Sequence, residues 1–151
     1  MRDLEVSEVR VAMSGEPPVV VLREVDGERL LPIWMTAGGA AAIVSATMTV
    51  DPHRPAVHDL LAKMIGELGG QLRETRIMRY LEGQFFAELD LGDRVVGVRP
   101  SDGIALAMRL SRPIRCTDEV LAEAGVDSRP GDEFDRFREF LDQVNPGDFD
   151  P

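Results

Sequence analysis

The sequence predicts an α+β domain with a mostly antiparallel sheet, built from a unit of about three strands and two helices that occurs twice. Three observations predict it. Runs rich in β-formers are joined by short glycine-bearing turns before each helical stretch, so hairpins rather than crossovers link the strands. The residues from Gly103 to Met108 carry no polar side chain, which calls for a helix surrounded by protein. Thr36, Gly38, Ala40, Ala42 and Ile43 are matched, 65 positions later, by Ser101, Gly103, Ala105, Ala107 and Met108.

Taken in order, Leu4 to Met13 alternates loosely as a first strand and is broken by Ser14-Gly15-Glu16-Pro17-Pro18. Val19 to Val25 is a second strand, Asp26-Gly27 a hairpin signal, and Arg29 to Trp34 a third strand. Thr36 caps a helix over Ala37 to Ala46 whose small side chains suit close packing within the fold. Asp51-Pro52-His53-Arg54-Pro55 is a stiff connector, since each proline fixes its own φ and bars its predecessor from the helix. Val57, Leu60, Leu61, Met64, Ile65 and Leu68 recur at helical spacing, and Gly69-Gly70 ends that second helix.

The second half repeats the plan. Leu72 to Leu81, Gln84 to Leu91 and Arg94 to Val98 read as strands separated by Glu82-Gly83 and Gly92-Asp93. Ser101 is expected to cap the buried helix, with Asp102 in its first turn where the helix dipole favours an anion. A further helix is expected near Thr117-Asp118, and Cys116 just before it reads as a small buried hydrophobe. Gly125 to Gly131 reads as a linker that divides a domain at 1–126 from a tail at 127–151. In that tail, residues 133–144 are expected to form an amphipathic helix through Phe134, Phe137, Leu141 and Val144.

The 151 residues suit a single domain, and no run approaches the roughly 18 consecutive apolar residues of a membrane span. The charged start, Met1-Arg2-Asp3-Leu4-Glu5, lacks the apolar core of a signal peptide, so a cytoplasmic protein is expected. Seventeen basic against 27 acidic side chains leave a net charge of −10, which argues against general affinity for nucleic acid. Positions 127–151 hold eight acids and three basic residues and so carry −5 of it.

Walker-type, Rossmann, CxxC and HExxH signatures are all absent. What stands out is one arrangement made twice. His58 and Asp59 fall in the first turn of the second helix just after Arg54-Pro55, and Asp102 falls in the first turn of the buried helix just after Arg99-Pro100. Helix N-termini favour anions, so each site reads either as an ordinary dipole partner or as the start of a phosphate site.

Leu31-Pro32-Ile33-Trp34, the block from Arg54 to Leu61 and the block from Arg99 to Ala107 resemble, in order and spacing, the three signature blocks of the bifunctional nuclease family. The likeness covers about residues 1–126 and matches the small bacterial form of that family. It implies hydrolysis of phosphodiester bonds in DNA and RNA, with nucleic acid as substrate. On that reading His58, Asp59 and Asp102 are the catalytic candidates, with His58 as base and Asp59 and Asp102 holding Mg²⁺ or Mn²⁺. Arg54, Arg99 and Ser101 would then bind substrate, and a homo-oligomer, most simply a dimer, is expected. One departure stands out: Gly39 occupies the place where the family carries glutamate, so a third oxygen ligand is missing, and Gly39→Glu is expected to raise metal affinity. That gap and the acidic balance leave a second reading open, a non-catalytic regulatory or ligand-binding module on the same fold.

Overall fold

The computed structural model describes residues 1–11 and 15–128. Among these, four helices lie with one eight-stranded sheet, an α+β arrangement. The strands are β1 (Arg2–Arg10), β2 (Val19–Glu24), β3 (Arg29–Trp34), β4 (Glu74–Leu81), β5 (Gln84–Asp90), β6 (Val95–Val98), β7 (Ile114–Cys116) and β8 (Val126–Asp127). The helices are α1 (Ala37–Ser45), α2 (Val57–Glu67), α3 (Pro100–Arg109) and α4 (Asp118–Ala124). The helix expected over 133–144 lies outside the described residues.

The sheet order is β6-β5-β4-β7-β1-β2-β3-β8, with every pairing antiparallel except that of β4 with β7. Two three-stranded meanders, β1-β2-β3 and β4-β5-β6, therefore stand on either side of β7, and each delivers the chain into a helix, α1 or α3. The hairpin between β4 and β5 turns on Glu82 and Gly83, both at positive φ (52° and 79°), as a two-residue primed turn requires.

Three elements differ from the sequence expectation. β7 was not expected, because three residues are too few for a period-two pattern, and its strand conformation is imposed by β1 and β4 on either side. Val126 and Asp127 pair with Leu30 and Arg29 of β3, so an edge strand stands where a linker was expected to begin. The cap of α3 is Arg99, with Pro100 at the first helical position, rather than Ser101. Proline there gives up an amide that has no helical partner anyway, and this outweighs the capping preference of serine.

The core lies between the sheet and helices α1, α3 and α4, and includes Leu22, Leu31, Ile43, Ile77, Ile104 and Val120. As its apolar run requires, α3 buries Ile104, Ala105, Leu106 and Ala107. Gly103 lets it lie directly on β4. A Cβ there would come within 2.7 Å of Thr75 Cγ2, and the Thr75 hydroxyl donates to Gly103 O at 2.7 Å. The α2 stripe behaves otherwise: no residue of α2 is buried, and Val57, Leu60, Leu61, Met64 and Leu68 are all exposed.

Cys116 is fully buried, as expected, and burial, helped by the nearby charges of Glu24 and Asp118, pushes its thiol up to about 11. It is therefore protonated at neutral pH and out of reach. Labelling of the native protein by a thiol reagent should be at least about a thousandfold slower than that of the unfolded chain, since it must await opening of the core. Rapid labelling under native conditions would show that β7 opens independently of the sheet.

Candidate functional site

The site is built where the first turns of α2 and α3 meet. Pro55 keeps the connector extended up to Ala56, which caps α2, and His58 and Asp59 follow at the second and third helical positions. Pro100 holds Arg99 in an extended conformation (φ −68°, ψ 147°) and places Asp102 at the third position of α3. Packing of α2 against α3 then brings together residues 44 positions apart.

His58 Nε2 lies 2.9 Å from Asp102 Oδ1 in a part-buried setting, the two side chains being 18% and 25% exposed. Arg99 donates from Nε to Asp102 Oδ2 at 2.8 Å and from its terminal nitrogen to Oδ1 at 3.1 Å. Chiefly through the Arg99 hydrogen bond, and further through His58, the Asp102 carboxyl is held below its ordinary 3.8 despite partial burial. An ionised carboxylate can only accept, so Asp102 takes the hydrogen bond from His58 Nε2–H. The result is an imidazole held by Asp102 with a guanidinium on the same carboxylate.

Asp59 is engaged elsewhere. Its Oδ2 accepts from the Ala56 amide at 3.1 Å, and its Oδ1 forms an ion pair with Arg109. Arg109 in turn donates to Ser45 O and Met48 O, each at 2.8 Å, and so clamps the end of α1 to the start of α2. Arg109 was not singled out from the sequence. The signal available was a lone charge closing an apolar helix, a position that has to find its acceptors nearby.

Of the remaining candidates, Arg54 is exposed and makes no side-chain hydrogen bond or ion pair with the described residues. Ser101 is only 5% exposed and lies in the floor of a neighbouring cleft. Gly39 sits where α1 touches α3. A Cβ there would fall 2.8 Å from Ser101 Cβ and 3.0 Å from its Oγ, so the expectation that Gly39→Glu completes a ligand set gives way to a steric conflict.

These side chains do not form a ready-built divalent-cation centre. Asp59 faces Arg109 and Asp102 faces Arg99 and His58, and among the described residues no group of three or more His, Cys, Asp or Glu is placed to hold a metal ion. Nor is any helix among the described residues long and apolar enough to cross a membrane.

The geometry lies within a stretch that comparison with known proteins identifies. Residues 20–129 match the family model of the bifunctional nuclease domain, and the chain belongs to that family. It is similar to an uncharacterized protein of Mycobacterium tuberculosis, 40% identical over 161 residues that cover 99% of this chain and 98% of that one. It is also similar to bifunctional nuclease 2 of Oryza sativa, 31% identical across 76% of this chain and 38% of the rice protein. Bifunctional nuclease 1 of Arabidopsis thaliana is 30% identical across 65% of this chain and 33% of its own length, so the match spans about a third of each plant relative.

Proposed function

We propose that this chain hydrolyses phosphodiester bonds of nucleic acid, DNA and RNA alike, with His58 as general base. The observation that carries the reading is the 2.9 Å pair between His58 and the ionised Asp102 with Arg99 beside it. Family membership and the plant relatives' names support the same chemistry. His58 Nδ1 would take a proton from the attacking water as its oxygen bonds to phosphorus. The bond from phosphorus to the leaving sugar oxygen then breaks, and that oxygen is protonated from solvent. The guanidinium of Arg99, whose side chain is 63% exposed, would stabilise charge gathering on the phosphoryl oxygens.

The test is cleavage of labelled single-stranded DNA and RNA by the purified full chain, with Mg²⁺ or Mn²⁺ and with a chelator in their place. His58→Ala should lower the rate by roughly 10²–10⁴. Asp102→Asn, which removes the ionised acceptor, should lower it as well, and loss of cleavage in the chelator arm would show the divalent-ion requirement expected for Asp59 and Asp102. Cleavage unchanged in His58→Ala refutes the assignment.

A second reading, the non-catalytic module, is favoured by one observation: both candidate carboxylates are already held in internal ion pairs. Complete inactivity of the wild-type chain under every metal condition would establish it over the first.

The exposed apolar stripe of α2 supports the homo-oligomer expected from the sequence, since apolar patches of that extent are uncommon on monomers. Sedimentation should show a species heavier than one chain, and Leu60→Glu with Leu68→Glu should return it to the monomer. The matched order of meander and helix supports reading residues 19–48 and 84–111 as copies of one unit.

A further inference from the structure

Beside the His58–Asp102 pair, and sharing Arg99 with it, lies a cleft of about 410 Å³. Its wall is apolar, with Trp34, Phe85, Phe86 and Val98 among the lining residues. Phe86 is 36% exposed, and Arg79 braces its ring at 5.0 Å from the centroid. The floor is different in kind. The cleft reaches the starts of two full helices, α1 of nine residues and α3 of ten, through Thr36, Pro100 and Ser101.

The amides at these starts can be accounted for one by one. Pro100 has none, and Gly103 N donates to Arg99 O, so Ser101 and Asp102 keep amides without a helical partner. In α1, Gly39 N is taken by the Thr36 hydroxyl and Ala40 N by Thr36 O, which leaves Ala37 and Gly38. Ser101 adds an independent observation. The residue is only 5% exposed, its hydroxyl makes no hydrogen bond with any described residue, and it lines the cleft. That hydroxyl is not among the fully buried polar atoms that lack a partner, so it meets solvent in the cleft and is available to a ligand there. Gly39, by having no Cβ, leaves that hydroxyl its room.

We infer that this cleft holds one unpaired nucleotide, its phosphate on the Ser101 hydroxyl and the α3 amides and its base against the exposed ring of Phe86, with the 4%-exposed Trp34 behind it. The inference rests on the phosphodiesterase reading for its choice of ligand and names the unit of substrate that reading left open. Helix starts and Arg99 supply the anion's partners, and the apolar wall supplies the base's. The volume lies at the small end of the roughly 300–1,000 Å³ of ligand pockets, which suits one unit rather than a duplex. Substrate held this way enters as a single strand or an end, with Arg99 linking this cleft to the His58–Asp102 pair.

Trp34 is the only tryptophan of the chain and lines the cleft, so its fluorescence reports occupancy directly. The full chain would be titrated without metal, under which no turnover is needed, using 5′-AMP, adenosine and inorganic phosphate as separate probes. 5′-AMP should give a saturable change, with adenosine and phosphate each at least tenfold weaker. Ser101→Ala should weaken 5′-AMP roughly three- to tenfold, the worth of one hydrogen bond, without affecting adenosine. Phe86→Ala should weaken both 5′-AMP and adenosine. Because Ser101 makes no protein hydrogen bond, its alanine variant should keep the wild-type melting temperature. Absence of a saturable response to 5′-AMP, equal binding of phosphate alone, or unchanged affinity in both variants overturns the inference. A chain that binds 5′-AMP but cleaves nothing refutes the catalytic reading and upholds the cleft. One that cleaves through His58 yet ignores 5′-AMP refutes the cleft alone.

Discussion

Gly39→Glu should destabilise the domain by about 3 kcal/mol and lower its melting temperature by roughly 6–12 °C, without any gain in metal affinity. The new Cβ would stand 2.8 Å from Ser101 Cβ, 3.0 Å from its Oγ and 3.3 Å from Thr36 Oγ1. None of these is the free end of a flexible chain, so α1 and α3 must move apart, and the carboxylate beyond would be pressed into a buried contact. Gly38→Glu is the control. Gly38 is exposed, a Cβ there meets nothing within 4 Å, and the acid would sit in the first turn of α1. That substitution should be neutral or stabilise by up to about 1 kcal/mol, because it replaces glycine in a helix and complements the dipole. Thermal unfolding of the two variants side by side decides the matter. Equal melting temperatures would mean that α1 does not approach α3 as described.

The contrast between the neighbouring glycines shows where sequence reading stops. Thr36 as cap, the Glu82-Gly83 turn and the burial of Ile104 to Ala107 were legible because each depends on neighbours within a few residues. β7 was not, since its three residues owe their conformation to β1 and β4 rather than to any pattern of their own. The periodicity of α2 signalled an apolar face correctly but carried no information on what covers it, and in the single chain that face is open. His58 and Asp102 were both chosen, yet their contact across 44 positions depends on the packing of α2 on α3. Asp59, adjacent to His58 in sequence and equally placed in a first turn, faces the other way, because successive residues on a helix point about 100° apart. Side-chain type placed these acids at helix starts; only tertiary packing assigned one to the imidazole and the other to a clamp.

That clamp should be the costliest side chain to remove outside the core. Arg109→Ala is expected to destabilise the fold by about 3–5 kcal/mol, a fall in melting temperature of roughly 10 °C. The side chains of Arg109 and Asp59 are only 15% and 10% exposed, so the loss of the guanidinium leaves a carboxylate largely shielded from water with the Ala56 amide as its remaining partner. The carbonyls of Ser45 and Met48 lose their donor in the same step, and the end of α1 is no longer fixed to α2. Arg109→Lys should fall between the two, since one ammonium cannot span three acceptors with the geometry of a guanidinium. If the cost lies in the stranded charge, Asp59→Asn added to Arg109→Ala should recover part of the loss, giving a double variant more stable than the sum of its parts. Denaturant unfolding of the wild type, Arg109→Ala, Arg109→Lys, Asp59→Asn and the double variant measures this. A loss below about 1 kcal/mol in Arg109→Ala would make the pair an ordinary surface contact. The same variant should also cleave more slowly than its remaining folded fraction predicts, because Arg109 fixes the helix turn that carries His58 to Asp102.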